Sequence, residues 1–185
     1  AEKEAEGPEA PTVEKAKALS SSGQGGYVEG GDEMVDMIES SFEVVEGFTG
    51  HIFMHDPSCG APGRSLAKRV RQEWKTLSTS LPKYGIAVRA CSENLQLIKA
   101  FISGPRFTPY YRGLYAFDIL LPNDYPAAPP KVRFHAYKMR INPNLYDDGY
   151  VCLSLLGTWT GHKQCEKWSE NSNVLQVILS IQSLV

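Results

Sequence analysis

The chain has 185 residues, of which 42% are hydrophobic, 10% aromatic and 22% charged. This length suits one domain, or one domain with a substantial tail, and the composition is that of a globular protein with a packed core. The sequence contains no run of about 18 apolar residues, which excludes a membrane-spanning helix. Its first residues lack the basic start and apolar stretch of a secretory signal.

The formal net charge of −2 conceals an asymmetry along the chain. Residues 1–60 contain 13 acidic and 3 basic residues, whereas residues 61–185 contain 8 acidic and 16 basic residues. An acidic lead joined to a basic domain indicates two parts with different properties. The basic part suits either nucleic acid or an acidic protein, and charge alone does not choose between them.

Three regions are predicted from the composition. Residues 1–33 form a Glu/Ala/Pro stretch followed by a Gly/Ser-rich one, with too little apolar surface to offset the entropy of ordering, so they are predicted to be a disordered tail. Residues 34–63 contain apolar side chains without a sustained period and are interpreted as a lead-in segment of uncertain order. Residues 64–185 are predicted to form the core domain.

The core domain begins with a predicted helix and continues with strands. Ser65 is the predicted N-cap of a helix from Leu66 to about Ser78. Four short strands follow, at residues 86–90, 95–102, 114–121 and 132–135, and the third shows the alternation of a half-buried strand. Hairpin spacing between these strands indicates an antiparallel meander.

A second helix is predicted at the end of the chain. Ser172 is its predicted N-cap, and the helix starts at Val174. Its apolar stripe continues to Val185, so the domain is expected to be truncated at its C-terminus.

Cysteine usage predicts free thiols. Cys59, Cys91, Cys152 and Cys165 form no Cys-x-x-Cys pair, which favours a reducing compartment over a disulfide framework. The expected location is therefore the cytoplasm, with the nucleus as the alternative. His162 and Cys165 have a spacing that suits a metal, but no second pair completes four ligands, so no metal and no other cofactor are predicted.

Cys152 is the best candidate nucleophile. A cysteine between Val and Leu is by itself typical of a core position, but an Asn-Pro-Asn triplet and a turn precede this one. That arrangement offers a thiol beside a primary amide, which can stabilise an oxyanion at a carbonyl under attack. A phosphatase loop would need arginine six residues after the thiol, where Thr158 stands, and no histidine has a recognisable protease context.

Several motifs in order carry a family resemblance. They are Gly104-Pro105-x-x-Thr108-Pro109-Tyr110, Leu121-Pro122-x-Asp124-Tyr125-Pro126, Pro129-Pro130-Lys131-Val132, Asn142-Pro143-Asn144, Val151-Cys152-Leu153 and Trp168-Ser169. Together they resemble the core of ubiquitin-conjugating (E2) enzymes over about residues 65–185. Asn142 replaces the histidine that usually opens the family's His-Pro-Asn triplet. That departure, with the long stretch from Cys152 to Trp168, is similar to the family's large hybrid subgroup.

The resemblance implies an α+β ubiquitin-conjugating core fold. Its parts are an N-terminal helix, a four-stranded antiparallel meander, an active-site loop and C-terminal helices, of which the last one or two would be missing here. It implies that Cys152 accepts ubiquitin as a thioester and yields it to a lysine. Asn144 would stabilise the oxyanion or hold the loop, and both roles stay open. Asn142 and Pro143 would shape the active-site loop.

The resemblance also implies partners: ubiquitin, the ubiquitin-activating enzyme and protein substrates. A helix face with Lys68, Arg69 and Arg71 matches the surface that contacts the activating enzyme, although an ordinary solvated basic face has the same composition. Ala127 and Ser169-Glu170-Asn171 replace the family's anchors for RING-type ligases, so weak or no dependence on such ligases is expected. No membrane and no nucleic acid are expected as partners.

Two other classes of function remain as alternatives. A non-catalytic adaptor with the same fold would lack the cysteine at position 152, and a nucleic-acid module would need basic and aromatic residues interleaved on its surface. The catalytic interpretation expects Cys152 to be open to solvent in a groove, and it would fail if Cys152 were sealed inside the core with the Asn144 side chain directed away from it.

Overall fold

The computed structural model describes residues 38–159 and 167–185. The predicted tail at residues 1–33 lies outside them, as do His162 and Cys165. The described elements are β1 (Ser41–Val45), α1 (Arg64–Ser80), β2 (Ile86–Cys91), β3 (Leu97–Ser103), β4 (Leu114–Leu120), β5 (Lys131–Phe134), a short 3₁₀ turn (Ser154–Leu156) and α2 (Val174–Gln182). Neither α1 nor α2, the two α-helices of this part of the chain, has the length and apolar character needed to cross a membrane.

The strands form one five-stranded sheet in the order β1-β2-β3-β4-β5. Strands β2 to β5 pair antiparallel with their sequence neighbours, so the predicted α+β fold with a four-stranded meander is confirmed. The fifth strand, β1, comes from the lead-in segment and pairs parallel with β2, with Ser41 opposite Ala87. Parallel pairing of such distant segments leaves no hairpin signal in the sequence.

The inner face of the sheet packs against both helices and forms the main core. Ile98, Ala100 and Ile102 alternate along β3 and are at most 1% exposed. They belong to one apolar cluster with side chains of both helices, namely Leu66, Val70 and Leu77 of α1 and Val174, Val177, Ile178 and Ile181 of α2. The alternate residues of the strands that face inward therefore pack against the apolar face of α1 in one core.

The outer face of the sheet is covered by the lead-in segment. Phe53 lies in a second apolar cluster with Cys91, Leu97 and Leu120, which come from three different strands. Polar contacts reinforce this covering, since the backbone N–H of Ile52 donates to Oδ2 of Asp118 at 2.7 Å. The segment therefore packs against the sheet before the first helix begins.

Both predicted helix caps are wrong. Helix α1 begins at Arg64, one residue before Ser65. Its N-cap is Gly63, which has no side chain to accept a hydrogen bond from the helix. Helix α2 is capped by Asn173, whose side chain accepts from the Gln176 N–H at 2.9 Å while the Gln176 side chain accepts from the Asn173 N–H at 3.1 Å. This reciprocal pair satisfies two free backbone donors at once, so it outcompetes a single hydroxyl from Ser172.

Candidate active site

A tight hairpin brings the Asn-Pro-Asn triplet to the cysteine. Leu145 and Val151 form an antiparallel bridge, and the Gly149 N–H donates to the Tyr146 carbonyl at 3.0 Å. Gly149 has φ +87°, and a Cβ there would lie 2.5 Å from the Phe134 carbonyl oxygen, so only glycine fits this turn. The residues that flank the hairpin, Asn144 and Cys152, therefore face each other.

Two hydrogen bonds join Asn144 to Cys152. The Cys152 N–H donates to the Asn144 carbonyl at 2.8 Å, and Asn144 Nδ2 donates to the Cys152 carbonyl at 3.0 Å. The primary amide is therefore directed at the residue that carries the thiol. Both hydrogen bonds are made by backbone atoms of Cys152 and not by its sulfur.

Asn142 fixes the start of the same loop. Its Oδ1 accepts from the Asn144 N–H at 2.8 Å, across Pro143. Its Nδ2 donates to the Tyr110 hydroxyl at 2.8 Å and to the Leu184 carbonyl at 2.7 Å. The amide thus ties the loop to the β3–β4 connection and to the end of the chain, which suits the loop-shaping role expected for it.

The thiol itself is covered, contrary to the expectation of an open groove. Cys152 is 4% exposed, and its Sγ donates to the Thr158 carbonyl at 3.2 Å. Burial raises the pKa of this thiol, because removal from water penalises the thiolate. In this structure Cys152 is therefore a protonated, shielded thiol beside an asparagine amide.

Thr158 holds the cover in place. Its Oγ1 accepts from the Leu153 N–H at 2.7 Å and lies 2.8 Å from the Val151 carbonyl oxygen, to which it donates. The Thr158 side chain thus pairs with backbone groups on both sides of Cys152, while the backbone carbonyl of Thr158 covers the sulfur. A threonine six residues after a cysteine carries no signal of this role in the sequence.

The predicted activating-enzyme face of α1 is divided by the structure. Lys68 and Arg71 are exposed. Arg69 is instead tied to the protein interior: its Nη2 donates to the Ser172 carbonyl at 2.6 Å and lies 2.9 Å from Oε1 of Glu73. A docking role therefore fits Lys68 and Arg71, whereas Arg69 joins α1 to the residues before α2.

Glu73 is a buried carboxylate that the sequence analysis missed. It is 2% exposed, and its Oε1 accepts from the Tyr125 hydroxyl at 2.7 Å. Its Oε2 accepts from the Val174 N–H at 3.0 Å, at the first turn of α2. Burial and the adjacent carboxylate raise the pKa of Tyr125, so that hydroxyl stays a donor. An amphipathic pattern assigns a glutamate to the solvent face, which explains the omission.

The proline-rich bend after β4 lies against Trp168. The indole Nε1 donates to the Pro126 carbonyl at 2.8 Å, and its ring centroid is 5.7 Å from that of Tyr125, which precedes Pro126 through a cis peptide bond. Trp168 therefore packs against this bend. A depression runs between the bend and the turn that carries Thr158, and Ala127, Ser154 and Trp159 also line it.

No group of three or more His, Cys, Asp or Glu side chains in the described ranges is arranged to hold a metal ion.

The fold matches solved E2 structures. A Plasmodium vivax ubiquitin-conjugating enzyme E2 is 25% identical, with a TM-score of 0.54, and the match covers 63% of this chain and 97% of that one. Human ubiquitin-conjugating enzyme E2 G1 is 24% identical, with a TM-score of 0.56 and coverage of 68% and 97%. The architecture is thus that of the E2 class.

The sequence model of the family described as "Ubiquitin-conjugating enzyme" matches residues 69–185. The chain belongs to the ubiquitin-conjugating enzyme family. Among its relatives, "Probable ubiquitin-conjugating enzyme E2 26" of Arabidopsis thaliana is 45% identical over 78% of this chain. The human "Dual E2 ubiquitin-conjugating enzyme/E3 ubiquitin-protein ligase BIRC6" is 47% identical over 68% of it. The chain spans 26% of the first relative's length and 3% of the second's.

Proposed function

We propose that the chain is the catalytic core of a ubiquitin-conjugating enzyme with Cys152 as its nucleophile. In the charging step, Sγ attacks the thioester carbonyl of ubiquitin on the activating enzyme, an S–C bond forms, and the activating enzyme's thiol leaves with the proton. In the transfer step, a lysine amine attacks the new thioester, an amide bond forms and the Cys152 thiol is released.

The pairing of Asn144 with Cys152 carries this proposal. The two residues exchange a 2.8 Å and a 3.0 Å hydrogen bond within the stretch that matches the family. A thiol beside a positioned amide donor is the arrangement that acyl transfer through a thioester requires. An adaptor with the same fold would lack the cysteine at position 152.

Charging requires that Cys152 lose its cover. The sulfur must release the Thr158 carbonyl before an incoming carbonyl carbon can reach it. Its raised pKa makes the thiolate a minority species at neutral pH. A strong general base is nevertheless unnecessary, because exchange of one thioester for another is nearly balanced in free energy.

Partners follow from the surfaces beside the site. We place the contact for the activating enzyme on the exposed Lys68 and Arg71 of α1. Ala127 and Glu170 are exposed at the bend and before α2 and offer no large apolar anchor, which supports weak or no dependence on a RING-type ligase.

Within the family, the chain is assigned to the large hybrid subgroup. The stretches Gly113-Leu114-Tyr115 and Leu121-Pro122-Asn123 favour a likeness to ubiquitin-conjugating enzyme E2 O over one to BIRC6. Cys59, Cys91 and Cys152 are free thiols, which supports a cytoplasmic location, with the nucleus as the alternative.

A charging assay tests the proposed function. The chain is mixed with ubiquitin, ATP and the activating enzyme and run on gels with and without reductant. We expect an adduct that reductant removes, that Cys152→Ala abolishes and that the matched control Cys59→Ala retains. Absence of an adduct from a version extended through the family's C-terminal helices would favour the adaptor function instead.

A further inference from the structure

Four large apolar side chains stand exposed on two loops at one end of the sheet. Phe107 is 97% exposed, Tyr137 72%, and Leu114 and Met139 59% each. Phe107 lies in the connection between β3 and β4, Leu114 is the first residue of β4 at the end of that connection, and the other two follow β5. Scattered exposed apolar residues are normal on a monomer, whereas a group of them marks an interaction site.

The two loops lie side by side. The Tyr110 hydroxyl donates to the Ile141 carbonyl at 3.2 Å, which ties one loop to the other. Closer to the strands, the His135 N–H donates to the Ala116 carbonyl at 3.0 Å. Residues 104–114 and 135–141 therefore form a continuous surface, which we call the paired-loop surface.

The backbone at Phe107 and Tyr137 adopts a conformation that costs free energy. All four non-glycine residues with positive φ among the described residues lie on the paired-loop surface: Phe107, Arg112, Tyr137 and Lys138, with φ between 47° and 64°. Bulky side chains rarely adopt this left-handed region, and such strain concentrates at functional sites. Two of the four are the most exposed aromatic residues of the described part.

The charge on the paired-loop surface has one sign. Its two segments contain four basic residues and no acidic residue; the basic residues are Arg106, Arg112, Lys138 and Arg140. The guanidinium groups of Arg106 and Arg112 lie 5.8 and 5.5 Å from the ring centroid of Tyr111, so the aromatic and basic groups interleave. The surface therefore suits an anionic partner.

We propose that the paired-loop surface binds an acidic protein segment that also carries apolar side chains. Its cations complement the carboxylates, and Phe107, Leu114, Tyr137 and Met139 complement the apolar groups. A single-stranded nucleic acid is the other anionic polymer, but it binds through base stacking on planar rings. Half of the exposed apolar side chains here, Leu114 and Met139, are aliphatic and favour a protein.

Fluorescence anisotropy tests this proposal on the full chain. The probe is a labelled peptide of glutamates interspersed with leucine and phenylalanine. We expect saturable binding that added salt weakens. The double variant Phe107→Asn with Tyr137→Asn should weaken binding by about tenfold or more, because a few buried anchors dominate such interfaces. Asparagine tolerates the left-handed backbone, so the fold is retained.

Matched controls distinguish binding at the paired-loop surface from general electrostatic attraction to the protein. Lys138→Glu should weaken binding, whereas Lys75→Glu, an equal charge change on α1, should not. Ile52→Ser removes an apolar side chain that is 50% exposed in the lead-in segment and should leave binding unchanged. Equal losses in variants and controls would overturn the proposal. So would undiminished binding of a peptide with lysine in place of glutamate, or tighter binding of a single-stranded oligonucleotide than of the acidic peptide.

Discussion

The NH₂ group of Asn144 has two candidate acceptors at different stages of the reaction. In the structure it donates to the Cys152 carbonyl at 3.0 Å. To stabilise an oxyanion on the attacked carbonyl it would have to leave that acceptor. Because an unpaired carbonyl costs about 1–3 kcal/mol, the observed contact favours the loop-holding role of the two that the sequence left open.

Asn144→Ala is expected to weaken both the loop and the reaction. Loss of the donor should lower the free energy of unfolding by about 1–3 kcal/mol and slow charging as well as transfer to free lysine. Thermal melting and single-turnover assays of the two steps measure this. Asn171→Ala, at an exposed position, is the control. A role confined to the oxyanion would leave melting unchanged and slow transfer by about 10²–10³-fold.

At the scale of elements, the segment from the 3₁₀ turn (Ser154–Leu156) to Thr158 acts as a cover over the thiol. Its hydrogen bonds to residues 151–153 pass mainly through the Thr158 hydroxyl and through the carbonyl of the same residue. Leu156 anchors the turn in the main core, so the part that must open to expose the sulfur is Gly157-Thr158, which half-exposed hydrogen bonds hold in place. Reactivity at Cys152 is therefore controlled by a neighbouring turn.

Thr158→Val should make Cys152 more reactive. Valine keeps the shape but removes the hydroxyl, so the Leu153 N–H loses its acceptor and the turn opens more often. Alkylation of Cys152 by iodoacetamide, followed by mass spectrometry, should be faster than in the natural chain at every pH tested. Thr158→Ser retains the hydroxyl and should react at the natural rate. An unchanged rate in the valine variant would show that another group shields the sulfur.

Helix α1 is joined to α2 and to the proline-rich bend through Glu73. Removal of one member of a buried charged network leaves the other members without partners, which costs about 3–5 kcal/mol. Glu73→Ala should therefore lower the free energy of unfolding in urea by that amount. Glu43→Ala is the matched control: Glu43 is 59% exposed and pairs with Arg89 at 3.0 Å. Such surface pairs contribute about 1 kcal/mol or less, so equal losses in the two variants would contradict a central role for Glu73.

Local patterns in the sequence were sufficient to predict some of the secondary-structure elements but not others. The alternation along β4 reflects one face in the core, so that strand was predictable with its neighbours. Strand β1 was not, because its pairing with β2 depends on contacts between distant segments. The proximity of Asn144 and Cys152 was predictable from motifs, whereas the burial of Cys152 depends on how the following turn folds back.

At the scale of the whole molecule, the outer face of the sheet contains a buried polar group beneath the lead-in segment. Asp118 is fully buried and accepts from Lys99 Nζ at 2.8 Å and His135 Nε2 at 3.1 Å. Nearby, the Phe53 N–H donates to Nδ1 of His51, whose Nε2 lies 3.1 Å from the Ile98 carbonyl oxygen. These contacts require a neutral imidazole with its proton on Nε2, and burial lowers its pKa accordingly.

Acidification should destabilise the protein through Asp118. Burial alone would raise the pKa of this carboxyl, but its hydrogen bonds from His135, Lys99 and Ile52 outweigh burial and lower it from 3.8 to about 2. A pKa that is lower when folded stabilises the fold above the unfolded value. We therefore expect about 2 kcal/mol to be present above pH 4 and lost as the pH falls toward 2.

Urea unfolding as a function of pH measures this contribution. In Asp118→Asn the fold should be less stable at neutral pH, and the loss between pH 4 and pH 2 should be smaller than in the natural chain. Asp148→Asn, at an exposed carboxyl, should leave the profile unchanged. Parallel profiles for the natural chain and Asp118→Asn would contradict the assignment.

The covering of the sheet by the lead-in segment has a practical consequence for anyone who produces this domain. The family match starts at residue 69, so a recombinant fragment cut to that boundary would carry none of β1 and none of Phe53. Leu97 and Leu120 would then face water on an unprotected strand surface, a recognised cause of aggregation. Expression boundaries should be drawn ahead of Ser41, not at the edge of the sequence match.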